Sequence, residues 1–384
     1  MKRTICFVTA AEITVKVFLV NHLRALSTQY DISVITNTNN SSFLKASGLH
    51  LNIIPLFIER AISPIRDINA LFGLIFLFRR YRFDAVHSVT PKAGLLSMLA
   101  AFLVRIPVRI HTFTGQVWAT RTGVMRWLLK GADRLITLCA THILVDSQSQ
   151  RRFLIKENVV SESKSHIIAN GSICGVDTQR FAPNYEVRKS LRKMFSIDES
   201  DVVFLFLGRL AFDKGLLDLV QAFVKVSGIH KNVQLIIVGP DEDNMKQRIL
   251  VHCEGCSDKV HFDEYTDKPE TFMAAADVFC LPSYREGFGM TIIEAGSVGI
   301  PSIGTRIYGI TDAIEEGATG FLYAPRDISE LTERMLKMIE KPDMRNEMGI
   351  KARERVIKLY SKELVTSAFV GFYDSVFALE SAKR

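Results

Sequence analysis

With 384 residues, 48% hydrophobic and 23% charged, the chain is long for a single core and too apolar to remain disordered, so two folded domains are expected. Its net charge of +7 is unevenly placed: residues 1–180 carry 22 Lys and Arg against 10 Asp and Glu, and the remainder 26 against 31. The basic residues are not interleaved with aromatics in any nucleic-acid-binding motif, which excludes nucleic acid as the favoured partner and leaves an anionic membrane surface.

In chain order, Lys2 and Arg3 precede an apolar run that Glu12 cuts short, so residues 4–8 read as a buried strand and not as a secretory signal. An amphipathic helix is expected over 15–27 and a strand over 31–36. The apolar stretches 71–78 and 95–104 reach roughly half the ~20 residues of a spanning helix, so no membrane crossing is expected. Arg60, Arg66, Arg79, Arg80 and Arg82 flank residues 68–78, which could dip into a membrane interface or form a buried helix with solvated arginines at its ends. Strands over 85–88, 109–112 and 142–146 have the apolar pattern of a parallel sheet buried on both faces. Thr90 reads as an N-cap and Pro91 as the first residue of a helix over 92–104.

A strand over 165–169 runs into Asn170-Gly171, and the irregular stretch to Asn184 marks the domain boundary. Strands are then expected over 202–208, 234–239, 260–262, 278–282, 302–304 and 320–323. The last segment reads as a helix with Phe369, Phe372, Val376 and Phe377 apolar. This alternation implies an α/β protein of βαβ units, two doubly wound parallel sheets. The domains are 1–175 and 185–361, with 362–384 returning to pack on the first. The six cysteines are scattered, as in a reduced cytoplasmic protein, and Cys253-x-x-Cys256 reads as an incidental helical pair.

Two segments carry the chemistry. Gly208-Arg209-Leu210-Ala211-Phe212-Asp213-Lys214-Gly215 follows one strand of the second domain, and Glu286-Gly287-Phe288-Gly289-Met290-Thr291-Ile292-Ile293-Glu294 follows another. Open parallel sheets bind ligands at those carboxyl ends. Arg209 offers a planar fork and Lys214 a point charge, suited to a diphosphate and to the charge it gains on leaving. Gly287, Phe288 and Gly289 let backbone approach a ligand, with free helix amides beyond. Glu286 is placed to reach sugar hydroxyls and Glu294 to accept hydrogen bonds from a ribose diol. In the first domain, His111 ends a strand, as a hydrogen-bond donor or a charge partner to a sugar.

Together these segments and His111-Thr112-Phe113-Thr114-Gly115 resemble the family 4 glycosyltransferases, retaining enzymes of the GT-B fold, over nearly the whole chain. The resemblance implies two Rossmann-like domains with an interdomain cleft and a C-terminal crossover helix. By the same resemblance Gly208, Arg209 and Lys214 hold the donor diphosphate, Glu286 with Gly287, Phe288 and Gly289 the donor sugar, and Glu294 the ribose. His111 would lie beside the sugar's reacting end. No cofactor or metal is implied, the two side-chain cations taking the role of a metal ion. Where many members have a Gly-Gly pair after the first strand, this chain has Thr9-Ala10-Ala11-Glu12, which leaves Glu12 and Lys16 as acceptor-side candidates. Lys92, in Thr90-Pro91-Lys92-Ala93-Gly94, joins them through a likeness to bacterial members that build polysaccharide on a lipid carrier.

The expected activity is transfer from a nucleotide-diphosphate sugar, by frequency a UDP-sugar, to a polyprenyl-diphosphate-linked or saccharide acceptor in surface polysaccharide, O-antigen or capsule synthesis. The expected location is cytoplasmic, peripheral on the inner membrane face. A sugar-nucleotide epimerase, a phosphorylase and a catalytically silent scaffold of the same fold remain as rivals. A dinucleotide oxidoreductase is disfavoured because no G-x-G-x-x-G follows the first strand.

Overall fold

The computed structural model describes residues 2–59, 62–253 and 255–382. Arg60, one of the arginines singled out above, lies outside the described residues. The chain forms two compact units, one of Met1–Gly175 with Lys362–Arg384, the other Val176–Ser361. Residues 176–184 join the second unit: Phe181 is buried in its core, and the Ser297 hydroxyl donates to the Phe181 carbonyl at 2.6 Å.

The first unit holds seven strands: β1 (Thr4–Val8), β2 (Asp31–Thr36), β3 (Asn52–Pro55), β4 (Ala85–Val89), β5 (Val108–Phe113), β6 (His142–Val145) and β7 (Ser165–Ile167). Their order is β3-β2-β1-β4-β5-β6-β7, and every pairing is parallel. Side chains alternate between the two faces. On one face Cys6, Val8, Val86, Ile143 and Val145 pack with helices Pro64–Tyr81, Pro91–Val104 and Gly123–Cys139. These helices are successive crossovers between parallel strands, so they run alongside one another and antiparallel to the strands.

On the other face Phe7 stacks on His87, and His87 Nδ1 shares a 2.7 Å hydrogen bond with the Tyr373 hydroxyl of helix Lys362–Ala382. His22 stacks on Phe369 of the same helix and shares a 2.8 Å bond with the Ile173 carbonyl. Val365, Phe369, Tyr373, Val376 and Phe377 are all buried. Each large apolar side chain removed from water contributes about 1.5–3 kcal/mol, enough to hold the terminal helix on this sheet.

Strand β3 is absent from the sequence expectation. It is short, ends at Pro55 and pairs only with β2, so it lacks the long apolar run of a central strand. The helix expected over 15–27 begins at Glu12 and passes through a π-helical turn, Val15–Leu19, before its α-helical part, Val20–Leu26. Thr90 precedes helix Pro91–Val104 but does not cap it. Its φ of 80° and ψ of 145° carry the hydroxyl away from the first turn, the extended ψ being what a following proline demands.

The second unit holds β8 (Val202–Leu207), β9 (Val233–Val238), β10 (Val260–Asp263), β11 (Val278–Leu281), β12 (Ser302–Thr305) and β13 (Gly320–Tyr323). The order is β10-β9-β8-β11-β12-β13, again wholly parallel. Adjacent β8 and β11 therefore bring the loops that follow them side by side. Cys253 and Cys256 are both buried in this unit's core.

Candidate functional site

The 208–215 loop leaves β8 and the 282–289 loop leaves β11, so the two motifs named from sequence meet at the carboxyl edge of the second sheet. Their contact needs glycine at 215: its φ is +67°, and a Cβ there would lie 2.1 Å from the Pro282 carbonyl oxygen. The Tyr284 amide donates to the Asp213 carbonyl at 2.9 Å, and Arg285 pairs with Asp213 at 2.6 Å.

Across this seam the Lys214 ammonium donates to Glu286 Oε1 at 2.5 Å, and the Ser283 hydroxyl donates to the same oxygen at 2.8 Å. Lys214 and Glu286 are each about 15% exposed (15% and 16%), so the pair is shielded enough for its charges to matter. Arg209 is not in this cluster. It pairs with Glu242 in the loop after β9, and both side chains are open to solvent. Exposed pairs of this kind contribute little and exchange readily for a stronger anion.

Helix Met290–Val298 starts at Gly289 and points its free amides toward the same loops. Glu294 sits within it, largely enclosed. Burial pushes its carboxyl up to about 7, against a smaller pull downward from the Arg180 guanidinium. Phe288 is buried and stands edge-on to Tyr360. It thus packs into the core, while Gly287 and Gly289 supply backbone.

In the first unit, His111 on β5 is wholly buried, and its Nδ1 shares a 2.8 Å bond with the Ser88 hydroxyl of β4. The ring presses against Gly94 on helix Pro91–Val104: a Cβ on Gly94 would lie 2.3 Å from the ring's Cε1. Burial pushes the imidazole down to about 3, with a hydrogen bond to the Ser88 backbone opposing. Desolvation thus favours a neutral imidazole here, the hydrogen-bonding role over the charge-partner one. Its Nε2 and the Thr90 Oγ1 are both buried without a protein partner among the described residues.

Glu12 and Lys16 pair at 3.1 Å across one turn, and the Thr38 hydroxyl donates to Glu12. That bond, ahead of Lys16, holds the Glu12 carboxyl below the usual carboxylate range. Lys92 pairs with Asp67 at 2.6 Å, and both are mostly covered.

Sequence reasoning missed Ser283, Glu242 and Asp146. The acidic run Asp241-Glu242-Asp243 directly after β9 was a visible signal for the second. Asp146 directly follows β6, and burial pushes its carboxyl up to about 8. Among the described residues no helix is long and apolar enough to cross a membrane.

Residues 15–180 match the family described as Glycosyltransferase Family 4, and residues 187–355 match Glycosyl transferases group 1. The chain is 28% identical to the Staphylococcus aureus capsular polysaccharide biosynthesis glycosyltransferase CapM over 84% of both chains. It is 26% identical to the Escherichia coli UDP-Gal:alpha-D-GlcNAc-diphosphoundecaprenol alpha-1,3-galactosyltransferase over 78% of this chain and 77% of that one. Among solved structures, Anabaena Alr3699/HepE in complex with UDP superposes with a TM-score of 0.81 at 17% identity, covering 98% of this chain and 100% of that one. Two Rossmann-like parallel-sheet units, and family matches that divide between them, make this chain a family 4 glycosyltransferase of the GT-B fold.

Proposed function

We propose that the enzyme moves a sugar from UDP-sugar to a polyprenyl-diphosphate-linked saccharide, with retention of anomeric configuration, on the cytoplasmic face of an anionic membrane. The observation that carries the donor reading is the Lys214–Glu286 pair, 2.5 Å long, where the loops after β8 and β11 meet beside a helix N-terminus. In this reading the diphosphate takes Lys214 away from Glu286 and Arg209 away from Glu242. Glu286, freed, accepts hydrogen bonds from the donor sugar. Glu294 accepts them from the ribose, and the neutral His111 donates one to the transferred sugar.

The bond from the anomeric carbon to the diphosphate oxygen breaks, and its electron pair leaves with UDP. The acceptor hydroxyl oxygen bonds to that carbon and passes its proton to the departing diphosphate. Two side-chain cations grow in value as the leaving charge develops, which is the role a divalent ion plays elsewhere. The UDP and lipid-linked parts of the reading are supported by the Escherichia coli relative, whose name specifies UDP-Gal and a diphosphoundecaprenol-linked sugar. Glu12, Lys16 and Lys92 are the acceptor-side assignments.

The test is a panel of nucleotide sugars incubated with lipid extract and with excess chelator. One UDP-sugar should be consumed, the chelator should change little, and the product's anomeric coupling should match the donor's. Activity lost with chelator and restored by Mn²⁺ would overturn the cation assignment, and an inverted linkage would overturn retention.

A further inference from the structure

Helix Pro64–Tyr81 buries Ala70, Leu74 and Phe78 against the sheet, yet the opposite side of the helix is not polar. Ile65, Ile68, Phe72 and Phe76 recur there at helical spacing, and Ile65 is 78% exposed. A second stripe lies on helix Gly123–Cys139, where Val124, Trp127, Leu128, Leu135 and Leu138 all face outward. Trp127 is 72% and Leu138 73% exposed. The two helices flank Pro91–Val104, which packs against both and adds exposed Phe102 and Leu103 at its end. Scattered exposed apolar residues are ordinary on a soluble surface, but two parallel bands of this length on one layer of helices are not.

The charges on this face have one sign. The three helices hold only two acids: Asp67 is tied to Lys92, and Asp133 is buried under a 2.7 Å hydrogen bond from the Trp118 indole. Arg79, Arg80, Arg82, Arg105 and Arg121 stand at the helix ends, with no acidic partner among the described residues. A two-fold contact with a second copy would set these arginines against one another. An anionic bilayer satisfies both features at once, taking the apolar bands into the acyl boundary and the guanidinium groups at the phosphates.

We infer that helices Pro64–Tyr81 and Gly123–Cys139 together form a lipid-inserting face, in which Trp127 and Leu138 enter an anionic bilayer while the arginines at the helix ends bind its headgroups. The inference rests on the proposed membrane location and deepens it. Attraction by the arginines alone leaves the protein on the surface, whereas two apolar bands place it in the interface. Parallel helices also put Ile65, Val124 and Trp127 at the carboxyl-edge end of the sheet, the end where Thr90 and Glu12 lie. A lipid-borne acceptor would thus reach the enzyme from the side that is embedded.

The experiment uses the full chain with vesicles of phosphatidylcholine and phosphatidylglycerol, against phosphatidylcholine alone. The chain has two tryptophans, and Trp118 is buried, so Trp127 reports the interface. With anionic vesicles its emission should move to the blue, be quenched by acyl chains brominated near the carbonyl, and stay shifted in high salt. Trp127→Phe should abolish the change. Leu138→Asp, at an exposed site, should weaken partitioning by roughly tenfold without lowering thermal stability.

Binding at low salt with no emission change and complete release at high salt would overturn insertion while leaving the membrane location intact. No binding to anionic vesicles at low salt would overturn both. A blue-shifted Trp127 in lipid-free protein that sediments as a dimer would assign the face to a second copy instead.

Discussion

Substituting Gly94 by alanine tests the role given to His111 without touching the histidine. The added Cβ would sit 2.3 Å from Cε1 and 2.7 Å from Nδ1, so the ring must retreat by about 1 Å to regain ordinary contact. It has little freedom to do so, since Ser88 holds Nδ1 at 2.8 Å and the ring is fully buried. In stability, alanine in a helix gains about 1 kcal/mol over glycine, while overpacking costs about 1–3 kcal/mol. The net is a loss of no more than about 2 kcal/mol, a melting shift of a few degrees.

In rate the effect is far larger, because a 1 Å displacement at a reacting group costs on the order of 10²-fold. The assay pairs thermal unfolding with kcat/KM for transfer from the donor that the nucleotide-sugar panel identifies. Gly94→Ala should unfold within a few degrees of wild type and lose about two orders of magnitude in rate. His111→Ala should lose a similar amount, and the double variant no more than His111→Ala alone, since both act through one ring. Wild-type turnover in Gly94→Ala, or additive losses in the double variant, would refute the placement of His111 at the transferred sugar.

Two further outcomes are expected. Arg209→Ala and Lys214→Ala should each lower transfer by ~10²-fold or more while the protein stays folded, and Lys214→Ala should be the harsher because it also leaves the shielded Glu286 unpaired; turnover near normal in both would remove the diphosphate role. Glu294 titrates near 7 in the folded enzyme and at about 4.5 unfolded, so between those values the folded state holds a proton that the unfolded state lacks. Stability should therefore fall, by on the order of 3 kcal/mol, as pH rises from about 4.5 to about 7, and level off above. Chemical denaturation across that range should show a flatter profile in Glu294→Gln, and parallel profiles would mean that Glu294 is not desolvated.

The architecture was legible because parallel strands buried on both faces leave uninterrupted apolar runs, as in Val202–Leu207 and Val233–Val238. Asn52–Pro55 was not, because an edge strand closed by a proline carries no such run. The Lys214–Glu286 meeting was implicit in motif order, since both motifs follow strands, but only the pairing of β8 with β11 made them neighbours. The partner of Arg209 lay in a loop that no spacing rule connects to it. The neutrality of His111 was equally hidden, because burial is a property of its surroundings and not of the residues beside it in sequence. The band on Gly123–Cys139 escaped notice for a related reason. Trp127 and Leu128 alternate with Arg126 and Lys130 as in any amphipathic helix, and sequence does not say which apolar residues the sheet covers.

The terminal helix has a consequence for biosynthesis. Lys362–Ala382 closes the unit that contains the N-terminus, covering the buried histidines His22 and His87 with Phe369 and Tyr373. On the ribosome those histidines are made before their cover, with the whole of Val176–Ser361 emerging in between. The second unit is continuous in sequence and can mature during translation. The first unit must wait, with one sheet face uncovered, until Lys362–Ala382 has been made and has cleared the exit tunnel. A product cut short before Lys362 thus carries a finished second unit beside an unfinished first one, whose bare face invites chaperones and proteases.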